Sequence, residues 1–399
     1  MNNIAVGLSN CVEPYAKDKY QITMLEQLSR NQNLPTTILR DINSLLKTTR
    51  IVENEDYQLV RRKRRLRNTF LADVSVLLGL AEKPLGLPYE LMIEPTNICN
   101  LKCPLCPAGN GTLGRSQGVM KLEQFKGIID ELEDEVRRIV FWGFGEPFIN
   151  KEAVDMIRYA ASKRMFVLTS TNGMLLNDQA LAGEIVSSGL QTLYVALDGL
   201  TQETLTKYRV GADIRDILMG VQRIRSERDK NGGKLPEIVL QFVVTQDNEH
   251  ELPLVEEFYK KSGFDKWSIK NANIMATTDT PNFDSLAERY IPKKEQNARF
   301  ERKEGGKLRI KGEVQNKCRK LFEQVMVNWD GTVVPCCWDP QSEHVLGDLK
   351  EERFTDIWFG DKYKNFREKV YKNRQEIQIC CDCPTDRTVE KLSRRFTKK

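Results

Sequence analysis

Between residues 89 and 275 the chain alternates between two local patterns, and that alternation restricts its fold more than any other feature. Strand-like runs occupy 89–94, 138–142, 165–170, 192–197, 238–245 and 266–270. Helical periodicity fills intervals between them, at 122–132, 151–162, 178–188, 214–231 and 252–262. Strands alternating with helices of this length build βαβ units, whose strands lie parallel in one sheet. Six such units predict an α/β fold, a partial (β/α)6 TIM-like barrel. In that architecture the loops at the carboxyl ends of the strands carry the chemistry.

The loop after the first strand holds the strongest chemical signal. It reads Glu94-Pro-Thr-Asn-Ile-Cys-Asn-Leu-Lys-Cys-Pro-Leu-Cys-Pro107, with Cys99, Cys103 and Cys106 in a C-x3-C-x2-C spacing. A structural zinc site takes four nitrogen or sulfur ligands, and no fourth Cys or His stands nearby in the sequence. The N-terminus shows no secretory-signal pattern, so a reducing cytoplasm is the expected home and disulfides are not expected. A [4Fe–4S] cluster is normally held by four cysteines, so three leave one iron with an open position. The spacing resembles the signature of the radical S-adenosylmethionine (radical SAM) superfamily. The resemblance implies that the open iron chelates the methionine end of SAM. One electron from the cluster then splits SAM into methionine and a 5′-deoxyadenosyl radical.

Further segments carry the same resemblance. The second strand ends in Trp142-Gly-Phe-Gly-Glu-Pro147, similar to the family's Gly-Gly-Glu-Pro motif, with Phe144 in place of the first glycine and Gly145, Glu146 and Pro147 matching. The resemblance implies that this backbone and the Glu146 side chain meet the SAM ammonium, which needs acceptors and a close backbone approach. The third strand ends in Thr169-Ser-Thr-Asn-Gly173 and the fourth in Val195-Ala-Leu-Asp-Gly199. Both resemble family segments, which singles out Asn172 and Asp198 for cofactor binding, although Asn-Gly and Asp-Gly are also ordinary turn formers. Ala196 stands where the family often has a serine, removing one hydroxyl contact. Arg209 matches a position that meets the SAM carboxylate in related enzymes, where a guanidinium fork donates two bonds.

The last part of the chain holds Cys318, Cys336, Cys337, Cys380, Cys381 and Cys383. Residues 325–334 alternate around Asp330-Gly331, a hairpin signal that sets Cys318 and Cys336 on either side. Together with Cys380 and Cys383 these could enclose a metal centre with four thiolates. The arrangement resembles the truncated SPASM, or twitch, domain that follows radical SAM barrels and binds one auxiliary [4Fe–4S] cluster. A zinc knuckle with the same ligands is the alternative. A cluster with four cysteine ligands has no open iron but can carry an electron, which favours oxidation of the substrate. Cys337 and Cys381 are candidate hydrogen-atom donors, which would make the enzyme an epimerase instead.

The expected organisation is a mostly helical N-terminal extension (1–85), the barrel (86–275), a polar linker with a helix (276–317) and a small cysteine-rich α+β domain (318–399). In the extension, helical spacing at 22–28 and 38–46 precedes a strand or hairpin arm at 54–60, a faint winged-helix pattern. The basic run Arg61–Arg67 is read as a solvated helix face. The apolar stretch 70–81 falls short of the roughly 20 residues of a membrane span. These features predict a radical SAM enzyme of the oxidoreductase or epimerase type, with SAM and two [4Fe–4S] clusters. The expected substrate is a small polar molecule such as an amino sugar or cyclitol, and Lys270, Asn271 and Asn273 could face it. A flavodoxin or ferredoxin would supply electrons, and neither membrane nor nucleic acid is an expected partner. One alternative is maturation of a ribosomally made peptide. Another is a zinc-containing nucleic-acid-binding regulator that uses the basic run.

Overall fold

The computed structural model describes residues 57–274, 283–302 and 308–386, with isolated positions between 26 and 40. The helices expected at 22–28 and 38–46 fall almost entirely outside the described residues. The first described element is helix α1 (Tyr57–Leu78). It contains no Gly or Pro and is rich in Arg and Leu, so nothing interrupts it. It therefore takes up 57–60, where the sequence predicts a strand or hairpin arm, and the wing of the winged-helix reading is lost there.

Six strands pair in chain order, all parallel: β1 (Glu90–Ile93), β2 (Arg138–Val140), β3 (Phe166–Thr171), β4 (Thr192–Ala196), β5 (Glu237–Val244) and β6 (Lys266–Asn271). Between them run α2 (Leu122–Leu132), α3 (Ala153–Ser162), α4 (Gln179–Ser187), α5 (Gln202–Tyr208), α6 (Ile214–Lys230) and α7 (Val255–Ser262). Successive strand side chains alternate between two faces. Leu91, Ile139, Val167, Leu193 and Leu240 join the core beneath the helices. Met92, Val140, Leu168 and Tyr194 lie on the opposite, concave face. The six-stranded α/β reading is thus present, as an open sheet.

The basic run is not a solvated face. Arg61, Arg65 and Arg67 are buried. Arg61 pairs with Glu133, and Arg64 Nη1 donates to Asp134 Oδ2 at 2.6 Å. Arg65 donates to the Glu133 carbonyl (2.7 and 2.9 Å), to the Lys163 carbonyl (3.0 Å) and to the Arg164 carbonyl (2.9 Å). These carbonyls end α2 and α3, where helices leave acceptors unsatisfied and negative. The arginines serve as a strut between α1 and the barrel helices, so the charge that would bind nucleic acid is largely neutralised within the fold. Arg65→Met is expected to lower stability by about 1–3 kcal/mol, because buried acceptors lose their donors. Urea unfolding checks this, and an unchanged midpoint would refute it.

Residues expected as a polar linker hold α8 (Phe283–Tyr290) and a hairpin of β7 (Phe300–Arg302) and β8 (Leu308–Ile310). Their small core gathers Phe283, Phe300 and Ile310 with Ile274 after β6 and with Leu105 of the three-cysteine loop. Next, β9 (Gln324–Val327) adds in parallel to the free side of β1, with Met92 beside Met326. The chain turns at Asp330-Gly331, where Gly331 takes φ +93, and β10 (Thr332–Val334) and β11 (Gly347–Asp348) follow antiparallel. One nine-stranded sheet results, in the order β11-β10-β9-β1-β2-β3-β4-β5-β6. Two helices, α9 (Phe354–Phe359) and α10 (Asp361–Asn373), lock this part to the start of the barrel. Trp358 Nε1 donates to the Gly86 carbonyl at 3.0 Å, and the buried Arg367 guanidinium sits between the Trp358 and Tyr363 rings, 4.2 and 3.9 Å from their centroids. Among the described residues, no helix is long and apolar enough to cross a membrane.

Candidate active site

The three-cysteine loop closes over the carboxyl end of β1. The Cys106 amide donates to the Cys103 carbonyl at 3.1 Å, and the Gly109 amide donates to the Cys106 carbonyl at 2.9 Å. A Cβ on Gly109 would lie 2.5 Å from the Cys103 nitrogen, so the turn excludes any other residue. The Gly-Glu-Pro segment packs backbone to backbone on this loop. Gly145 has φ +89, and a Cβ there would fall 2.7 Å from the Thr96 and Ile98 carbonyl oxygens. The Glu146 amide donates to Ile98 O at 2.8 Å. Burial pushes the Cys103 thiol up to about 11, against the pull of Arg209, and raises Cys99 as well. A bound cluster would displace those protons.

The other residues singled out from the sequence come together here. Asn172 Nδ2 donates to Asn100 Oδ1 at 2.7 Å and approaches Cys99 Sγ at 3.9 Å. Arg209 Nη1 lies 3.8 Å from Cys103 Sγ, and its Nε donates to Asp198 Oδ2 at 2.6 Å. Asp198 is fully buried and its other oxygen accepts from the Val243 amide at 2.6 Å. It acts through Arg209 rather than alone. Glu146 accepts from Thr171 Oγ1 (2.7 Å), the Asn172 amide (2.7 Å) and the Phe148 amide (3.3 Å). Burial still pushes its carboxyl up to about 7. Both its oxygens have partners within the protein, so it ties the end of β2 to that of β3. Phe144 turns its ring into the concave-face cluster beside Met92.

Glu94, at the end of β1, was not singled out from the sequence, and it organises much of this region. Fully buried, it takes two bonds from the Arg115 guanidinium (2.6 and 2.7 Å), one from the Phe144 amide (3.1 Å) and one from the Trp329 amide (3.4 Å). A carboxylate ending an apolar strand was the available signal, since such a group is rarely buried without a partner. Arg115 Nε also donates to Pro340 O at 2.8 Å, and Trp329 Nε1 donates to Ser116 O at 3.2 Å. The segment after the first cysteine group is thereby stitched to the hairpin that leads to the second. A Cβ on Gly118 would lie 2.3 Å from the Trp329 ring. Gly118→Val is expected to cost about 1–3 kcal/mol through overpacking. Thermal unfolding measures it, and a variant as stable as the parent would show that this seam is loose.

The second cysteine group assembles from distant segments. Burial pushes Cys318 up to about 11 and Cys380 up to about 12, and Cys336 rises well above its ordinary range. Cys318, Cys336 and Cys380 each feel Cys383, which places the four sulfurs in one neighbourhood. Burial opposes the charges of Lys320 and Arg374, yet these thiols hold both cations above their usual range. Among the described residues, no three of His, Cys, Asp or Glu stand close enough to share one metal ion. A tetrahedral zinc holds each sulfur about 2.3 Å from a single centre, whereas a cubane gives each cysteine its own iron. All-thiol donor sets suit iron–sulfur ligation: Cys99, Cys103 and Cys106 could hold one cluster, and Cys318, Cys336, Cys380 and Cys383 another.

Among the described residues, two further cysteines lie in different surroundings. Cys337 packs with the concave-face cluster near Trp142 and Tyr194. Cys381 donates to Gln378 O at 3.1 Å within its own turn. At the end of β6, the Asn271 carbonyl accepts from Arg299 Nε at 3.0 Å, and Asn273 Oδ1 is buried without a partner among the described residues.

Comparison with known proteins agrees with this geometry. The radical SAM superfamily profile matches residues 93–250, and the iron–sulfur cluster-binding SPASM profile matches 318–384. A tungsten-containing aldehyde ferredoxin oxidoreductase cofactor-modifying protein of Pyrococcus furiosus is 28% identical over 318 residues, covering 73% of this chain and 86% of that one. A PqqA peptide cyclase of Granulibacter bethesdensis is 28% identical over 193 residues, or 48% of each chain. The crystal structure of Streptococcus suis SuiB bound to S-adenosylmethionine is similar in fold, with a TM-score of 0.55 at 14% identity, over 86% of this chain and 81% of that one.

Proposed function

This chain belongs to the radical SAM superfamily and carries a C-terminal SPASM domain, and on that premise we propose that it oxidises a C–H bond of a ribosomally made precursor peptide. Its cofactors are SAM and [4Fe–4S] clusters, one of them auxiliary. When bound, SAM would supply radical chemistry able to remove a hydrogen atom from the substrate. Cys99, Cys103 and Cys106 would hold the SAM-binding cluster. Arg209, oriented by Asp198, receives the SAM carboxylate. Asn172 and the backbone of 144–147 line the same end of the sheet. A donor such as flavodoxin or ferredoxin supplies the starting electron.

The observation that carries oxidation is the second cysteine group. Four thiols leave no open iron, and Lys320 and Arg374 stand among them. Positive charge at a cluster favours its taking an electron. The peptide replaces the amino sugar or cyclitol expected from the sequence because two of the matched relatives are named for peptide cyclisation and cofactor modification. The second of those names supports one other reading, oxidation of a cofactor precursor.

The test reads deuterium. Cluster-loaded, dithionite-reduced enzyme receives SAM and the peptide fraction of cells of its source organism grown in D2O. Deuterated 5′-deoxyadenosine is expected, and protease treatment of the fraction abolishes it. Transfer that survives protease and follows the small-molecule fraction overturns the peptide reading and favours the cofactor precursor.

A further inference from the structure

One exposed amine near the end of β6 has no part in the roles above. Lys270, on β6, donates to Gln241 Oε1 on β5 at 2.7 Å and lies 5.9 Å from the centroid of the Tyr194 ring on β4. Three neighbouring strands thus place these side chains side by side, and Tyr194 belongs to the concave-face cluster that holds Cys337 and Trp142. Asp198, the carboxylate that acts on Lys270, is already bound by Arg209 and by the Val243 amide. The other groups facing it are Arg299 and Arg209, which repel an ammonium, and the Cys337 thiol. Desolvation among the surrounding side chains, and then Arg299, pushes the amine down to about 8, although the side chain is exposed. On the loop that leaves the same strand, Asn273 Oδ1 is buried without a partner among the described residues, an acceptor open to a substrate donor.

We propose that Lys270 is the proton acceptor of the oxidation, its neutral amine taking the proton that the substrate radical must release. The proposal rests on the oxidation reading above, whichever substrate class applies. The step balances on a unit H–C–X–H, with X an oxygen, nitrogen or sulfur. The hydrogen atom on carbon goes to the deoxyadenosyl radical, giving 5′-deoxyadenosine. The proton on X goes to Lys270 Nζ, giving an ammonium that Gln241 and the Tyr194 face receive. The remaining electron reduces the auxiliary cluster by one, and a C=X bond forms. Because the acceptor must be neutral, product formation rises with pH through the Lys270 pKa and is lost below it.

Single turnovers with the deuterated fraction active in the parent test this, comparing Lys270→Met, Lys270→Arg and Lys270→His at equal iron content. Lys270→Met and Lys270→Arg are expected still to form deuterated 5′-deoxyadenosine. Their oxidised product falls about a hundredfold or more, and an organic radical builds up in freeze-quenched EPR spectra. Lys270→His restores product, with the acid limb of its pH profile moved down, since imidazole titrates near 6.5. Readout without turnover comes from NMR of the cluster-loaded protein with 13Cε-labelled lysine. One resonance titrating near pH 8, and missing from Lys270→Arg, is expected. If every lysine titrates near the ordinary value of about 10.4, the proposal fails. It also fails if Lys270→Met makes product normally. Lost deuterium transfer in Lys270→Met with a fully active Lys270→Arg would make the residue an anion anchor and overturn the proton role. No deuterium transfer in the parent would remove the oxidation reading first, and this inference with it.

Discussion

The triple variant Cys99→Ala/Cys103→Ala/Cys106→Ala is expected to form no 5′-deoxyadenosine and to keep half of the parent's iron. Two cubanes hold about eight irons, and the variant keeps about four. The retained half follows from how the second group is built. Its thiols come from segments around 318, 336 and 380–383, and none is supplied by the first loop. The sheet that carries them is held by backbone bonds between β1 and β9, which the substitutions leave intact. Iron counted after anaerobic reconstitution, beside chromatography of the nucleoside, decides the matter. Loss of all iron in the variant would mean that the two groups fill only together. Bound zinc in place of iron in the parent would remove the radical chemistry altogether.

Arg209→Met should be the most damaging single change near the cofactor. It strips Asp198 of its cation while leaving the carboxylate fully buried. Breaking a buried pair from one side typically costs about 3–5 kcal/mol, because the surviving charge is uncompensated. Adding Asp198→Asn removes that charge and keeps an oxygen for the Val243 amide, so the double variant is expected to recover most of the stability. It is not expected to recover SAM binding, since the guanidinium fork is still absent. Urea unfolding and equilibrium dialysis of SAM, run on the single and double variants, separate the two effects. Normal SAM affinity in the double variant would show that Arg209 only holds the fold.

Strand order and most helix limits could be read from the sequence because each βαβ unit is local. Periodicity within a short window is enough to place β4 or α6. The junction of β1 with β9 could not be read, since it joins Glu90 to Gln324 across the chain and no local pattern records a parallel partner that distant. The basic run was misread for a related reason. Charge is visible in the sequence, but the Glu133 and Lys163 carbonyls that engage Arg65 are not. The cysteine groups were legible because thiol spacing is chemistry written along the chain. Glu94 was not, since its importance lies in joining Arg115, Phe144 and Trp329, three residues from separate segments. Asp198 stood out for its place in a motif, and only geometry shows that it works through Arg209.

The bond between β1 and β9 also bears on how charge moves. The loop of the first cysteine group leaves β1, and Cys336 lies just beyond β10, two strands away in the same sheet. Any electron exchanged between the two groups would cross a span set by that strand register. A slip of β9 by one residue would turn Met326 off the concave face and break the circuit.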